Sequence, residues 1–122
     1  MSNFVTSMTP SATKRSAPLG EFELVVMLAV MRLKDEAYPV AIRDAIEERT
    51  GRAVSRPAVF ITLERLEDKG LLSSRYGDPT PVRGGRSKRF FNATKAGIGA
   101  VQQSLDTVSA MAQGLDALLR KS

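Results

Sequence analysis

Four cations crowd one short stretch of this chain, Arg83, Arg86, Lys88 and Arg89, set around the pair Gly84 and Gly85. Guanidinium and ammonium groups at that density do one thing well, which is to pair with closely spaced anions such as the phosphates of a nucleic-acid backbone. From Pro79 through Leu105 no acidic residue interrupts the field, and Lys95 adds to it. The glycines let the backbone turn without a Cβ clash while Pro79 and Pro81 stiffen the approach, so the tip reads as a shaped loop. A phosphate-cradling nucleotide loop would need a helix directly after the glycines and a Lys-Ser/Thr signature, and neither follows.

A second set of groups able to touch a ligand lies on residues 55–72, SRPAVFITLERLEDKGLL. Val59, Leu63 and Leu66 recur at helical spacing and would bury, leaving other faces free. Ser55 can cap the helix, Pro57 suits its first turn, and Gly70 stands where it stops, giving about four turns. Ser55, Arg56 and Thr62 are therefore the expected contacts to base edges in a groove, with Phe60 and Arg65 near phosphates. Phe60 could equally be core.

Other chemistries are excluded or weak. There are no cysteines and no histidines, which removes disulfides, thiolate and imidazole catalysis and the common zinc ligand sets. Asp44 and Glu48 are carboxylates one helical turn apart, a spacing that invites acid/base or metal work. Arg43 and Arg49 sit beside them with no further ligand in sight, so a solvated, ion-paired face is the better reading. No catalytic residue, metal or cofactor is expected.

The elements that would position these groups follow from pattern. Leu71 to Tyr76 reads as a strand, Gly77 to Gly85 as a turn region, and Ser87 to Asn92 as a returning strand. Before the Ser55 helix, Tyr38 to Thr50 reads as a helix with Pro39 in its first turn, and Gly51 to Val54 as the tight connection of a helix-turn-helix. A helix with an arginine-bearing face followed by a cationic hairpin is the winged form of that motif.

Leu19 to Leu33 is apolar on nearly every helical face, more than a small domain can cover, so Phe22 and Val26 are expected to meet another subunit. After a cap at Thr94, the residues Ile98, Val101, Leu105, Val108, Ala112, Leu115 and Leu119 alternate steps of three and four, a coiled-coil seam running in one helix toward Leu119. Such a seam calls for a partner, and its own copy is the simplest one.

Met1 to Pro18 is rich in Ser and Thr and reads as a disordered arm whose Lys14 and Arg15 could lie along DNA. The chain thus divides into that arm (1–18), a winged helix-turn-helix domain (19–93) and a dimerisation helix (94–122), a mainly α fold with a β wing. The balance of 18 Lys+Arg against 13 Asp+Glu gives +5 and a pI near 10.0, which favours polyanionic partners. No apolar run reaches the roughly 18 residues of a membrane span, so a cytoplasmic protein is expected.

With those residues in view, the chain resembles the PadR family of bacterial transcriptional regulators in its short form, with a single C-terminal dimerisation helix. The resemblance covers roughly residues 19–105. It is carried by the early apolar helix, the run S-x-x-A-V-F-x-x-L-x-R-L-E-x-K-G-L from Ser55 to Leu71, the basic R-S-K-R-F-F, and T-K-A-G at Thr94 to Gly97. Phe60 stands where the family usually has tyrosine, which would remove a phenolic phosphate contact, and Pro57 replaces a usual glycine. The resemblance implies a homodimeric DNA binder that usually represses, in some members released by a small hydrophobic effector held near the dimer interface. On that reading two copies bind a near-palindromic operator in double-stranded DNA, and four wing cations per copy predict a salt slope near −7. The alternative is a winged-helix protein-protein interaction module.

Overall fold

The computed structural model describes residues 19–77 and 87–121. The expected arm, and the loop tip with Arg83 and Arg86, lie outside the described residues. Helix α1 (Glu21–Leu33) leads through a 3-10 turn (Lys34–Glu36) to α2 (Pro39–Thr50) and α3 (Arg56–Asp68). Strands β1 (Leu72–Tyr76) and β2 (Arg89–Ala93) follow, then α4 (Lys95–Ala112) and α5 (Asp116–Lys121).

The three N-terminal helices pack on one another and on the strands around a core that includes Met27, Val30, Ile42, Leu63, Leu66 and Phe91. Each helix gives one stripe to that core, as its apolar spacing requires. Val26 is part of it and is fully enclosed by its own chain. It is therefore not available to a second subunit, because it shares the inner line of α1 with Met27 and Val30. The apolar surplus of α1 lies elsewhere, at exposed Leu28 and half-buried Phe22, Leu24, Val25 and Met31.

Helix α3 begins and ends where its residues dictate. Ser55 Oγ accepts from the Ala58 N–H at 3.2 Å. At the other end Leu71 N donates to Leu66 O and Gly70 N to Glu67 O, both at 2.9 Å, with Gly70 at φ +79°. That paired closure demands a left-handed residue, which glycine adopts without strain.

The strands form an antiparallel ladder in which Leu72 pairs with Ala93, Ser74 with Phe91 and Tyr76 with Arg89. The returning strand therefore starts and ends later than the apolar pattern alone suggests. Ala37, buried between α1 and α2, extends the ladder by accepting from the Phe91 N–H at 2.8 Å.

The T-K-A-G segment is a joint. Thr94 Oγ1 accepts from Gly97 N at 3.0 Å and donates to Gly70 O at 2.8 Å, fastening the start of α4 to the end of α3. Gly97 is buried so closely against Leu71 O and the Met27 side chain that a Cβ would overlap both. Val101, one turn on, is buried too, so it also leaves the set of expected interface residues.

Beyond that point α4 leaves the body, with Val108 62% and Met111 76% exposed. The seam does not stay in one helix: α4 ends at Ala112, Gln113 is extended, and Gly114 takes φ +88°. Leu115 thus falls in the break and Leu119 on α5, because one glycine able to turn left-handed outweighs an unbroken spacing of leucines. Among the described residues no helix is long and apolar enough to cross a membrane.

Candidate nucleic-acid interface

Helix α3 is held from three sides, against α2, α1 and β1. Two ion pairs anchor α1 to its flanks: Arg52, in the turn before α3, donates to Glu21 at 2.8 Å, and Lys69, just after it, donates to Glu23 at 2.9 Å. The hydrogen bond from Arg52 keeps the Glu21 carboxyl below its ordinary range. Glu23 is nearly buried, and desolvation pushes it up. The bonds from Lys69 and the Gly20 N–H, with the nearby charges of Lys69 and Arg65, outweigh that push and leave it lowered.

Held this way, α3 turns Val59, Thr62, Leu63 and Leu66 inward. Thr62 is only 4% exposed, so it cannot reach a base edge. The reason is spacing: it lies three residues after Val59 on the same stripe, and its hydroxyl does not alter which face it falls on. Ser55 and Arg56, expected at base edges, and Phe60 and Arg65, expected near phosphates, are exposed. Pro57, Ala58 and Ile61 are exposed beside them.

Arg89 has a different role from the one expected of it. Its side chain is only 19% exposed and lies between the wing and α3. Nη1 donates to Glu64 at 2.8 Å, Nη2 to Glu67 at 2.5 Å, and Nε to Ser74 Oγ at 3.2 Å, while Ser74 Oγ donates to Glu67 at 2.8 Å. The guanidinium also stacks over the Phe91 and Phe60 rings at 4.9 and 5.9 Å. The hydrogen bond to Glu64, with that to Glu67, raises the Arg89 pKa above its ordinary value despite desolvation. All three nitrogens of this guanidinium are engaged within the chain rather than held out to solvent. The group neutralises two carboxylates on the helix that faces outward and fixes the strand to it.

On the other side of the wing base, Lys88 is exposed, with Nζ 4.2 Å above the Tyr38 ring. Tyr38 meets Phe90 edge-on at 5.6 Å, and Arg75 lies 4.7 Å over the Phe90 ring. The alternation of cation and ring holds two positive groups, one on the first strand and one just before the second, in fixed positions. Arg75 and Tyr38 were not among the expected site residues. Their signal in the sequence is faint, an arginine next to the end of a short strand and a tyrosine just before a helix.

Among the described residues, no three or more acidic, His or Cys side chains converge as a metal site would require. Asp44 pairs with Arg43 at 3.1 Å on the outer face of α2. The arrangement offers exposed cations beside a capped helix N-terminus.

Comparison with known proteins agrees with that geometry. The sequence matches the transcriptional regulator PadR-like family over residues 27–103. No individually curated protein matches it. Among solved structures, a PadR-like transcription factor from Bacteroides fragilis superposes with a TM-score of 0.67 at 18% identity, covering 88% of this chain and 95% of the other. A PadR family regulator from Clostridium difficile R20291 gives 0.64 at 21% identity, with 80% and 98% covered. One from Eggerthella lenta DSM 2243 gives 0.64 at 20%, with 84% and 88% covered. At such identities the likeness is one of fold.

Proposed function

Because the chain belongs to the transcriptional regulator PadR-like family, we propose that it acts in the cytoplasm as a homodimeric repressor, binding a near-palindromic operator by sequence and occluding it. It is a regulator and not an enzyme. Two copies of α3 would enter successive major grooves about 34 Å apart, with the wings on the flanking backbone. A small hydrophobic effector, held where α1 and α4 of the two copies meet, would release the DNA.

The observation that carries this reading is the outer face of α3. Its N-terminal half is exposed from Ser55 to Ala58, bears Arg56, and ends in a helix terminus whose partial positive charge favours phosphate. The supporting one is the uncovered apolar length of α4 and α5, which a second copy of like pattern would bury.

The test is to select bound duplexes from a random library with the full chain and then follow affinity against salt. With Arg89 withdrawn, Arg83, Arg86 and Lys88 in two copies neutralise six phosphates, for a slope of log K on log salt near about −5. A slope near zero, or no selected sequence at all, would overturn the proposal.

A further inference from the structure

Over its first half, α3 is apolar on the face that points away from the core, and the exposed carboxylate on that same face, Asp68, comes only two turns after Ile61. Opposite the buried stripe of Val59, Leu63 and Leu66 lie Pro57 and Ile61, with Ala58 beside them. Ile61 is 56% exposed, a β-branched side chain that gives up rotamer freedom in a helix without gaining burial.

The backbone beneath is as poor in donors as the side chains above. Pro57 has no N–H, and the Ala58 N–H is spent on Ser55 Oγ at 3.2 Å. Cations flank this spot, with Arg56 before it and Arg65 after it, both exposed and in no ion pair among the described residues. Glu64, the nearest carboxylate along the helix, is answered by Arg89 at 2.8 Å. An apolar centre with a cationic rim and its nearby acid neutralised suits a polyanion that offers an apolar group at the bottom of a groove.

In the major groove the one such group on a base edge is the C5-methyl of thymine. Resting on the DNA-binding reading above, we propose that Ile61, backed by Ala58 and Pro57, is a specificity-determining residue of α3 that reads thymine methyls in each half-site. It recognises those positions by contact and by exclusion of water rather than by hydrogen bonds. The preference is directional: cytosine carries only a hydrogen where thymine carries the C5-methyl, so the apolar contact is lost there.

The experiment uses the full chain and the best duplex selected from a random library. Each thymine is replaced in turn by deoxyuridine, which deletes the methyl and leaves pairing unchanged, and dissociation constants are read by fluorescence anisotropy. At one or two thymines per half-site, loss of the methyl should weaken binding by about fourfold, the value of one buried carbon. Ile61→Ala should bind that duplex more weakly, and the penalty for deoxyuridine should vanish in it. Its affinity for random duplex should stay within twofold of the parent. Because Ile61 is exposed, the variant keeps the core intact, and an unchanged melting temperature verifies this.

If the parent chain binds its selected site but tolerates every deoxyuridine, the methyl reading is wrong while the DNA-binding reading stands. A parent chain that retains no duplex at low salt overturns both, and the apolar face would then belong to a protein partner.

Discussion

Arg89 on the second wing strand reaches back across the hairpin to Glu64 on α3, at 2.8 Å, and a second arm reaches Glu67 one turn further on. The pair couples the two surfaces that the proposed binding mode brings to DNA. It also removes negative charge from the outward face of α3.

Arg89→Met should therefore act in two ways. Leaving two part-buried carboxylates without their partner should cost about 2 kcal/mol of stability, read as a lowered denaturation midpoint. DNA affinity should fall for all sequences alike, with the salt slope unchanged, because no phosphate contact is deleted. Adding Glu64→Gln and Glu67→Gln should recover much of both. A salt slope shallower by about 2 in the single variant would mean that Arg89 touches phosphate after all.

The Glu23 to Lys69 bridge sets part of the acid response. Its carboxyl is held below the ordinary value in the folded chain, so folding favours the ionised form. That stabilisation is complete above the unfolded value of about 4.3 and is lost as the pH falls through the lower folded value. Glu23→Gln, which keeps an acceptor for the Gly20 N–H, should lose about 1 kcal/mol at neutral pH. Its melting temperature should then decline less steeply than the parent's over the pH range from about 5 to 3. Equal acid limbs in the two proteins would show that the bridge contributes nothing.

These cases mark what could be read from residue order and what could not. The limits of α3 were legible because Ser55, Pro57 and Gly70 act on their own neighbours, as was the run Pro39–Thr50 with Gly51 beyond it. The winged helix-turn-helix followed from their succession. Thr62 was misplaced because a polar residue can occupy a core position, and only the phase of the stripe says so. The pairing of Arg89 is hidden for a different reason: its partners, Glu64 and Glu67, lie more than twenty residues earlier, and no local pattern pairs them. The exposure of Ile61 follows from phase alone: an apolar residue in an amphipathic helix suggests core, but its angle lies opposite Leu63 and Val59.

Two glycines in α4 should respond oppositely to alanine. At Gly97 an added methyl overlaps Leu71 O on the backbone, which cannot move without breaking the joint at Thr94. Gly97→Ala should cost about 2 to 3 kcal/mol. At Gly99 nothing lies within 4 Å of the same atom, so Gly99→Ala should gain up to about 1 kcal/mol from helix propensity. Thermal denaturation of the two variants, lying on either side of the parent, is the check; a destabilised Gly99→Ala would mean that a second copy packs closely there.

The apolar length of α4 and α5 gives the last prediction. Ile98, Leu105, Val108, Met111, Leu118 and Leu119 are exposed on one short stretch of chain, while the body's own core stops at Val101. Surface of that kind is costly to leave in water, and the break at Gly114 lets α5 change direction and cover a neighbour rather than extend a rod. Sedimentation of the full chain should give about twice the 13.2 kDa of one copy. Val108→Glu places a charge in that surface without disturbing the core, since Val108 is among its most exposed members. It should sediment as a single copy with an unchanged helical spectrum. Affinity for a duplex with two half-sites should fall by about a hundredfold or more, because the second α3 is no longer tethered near its groove, while binding to one half-site should hardly change. A variant that sediments singly yet binds the double site undiminished would separate DNA recognition from pairing and refute the dimer as the binding unit.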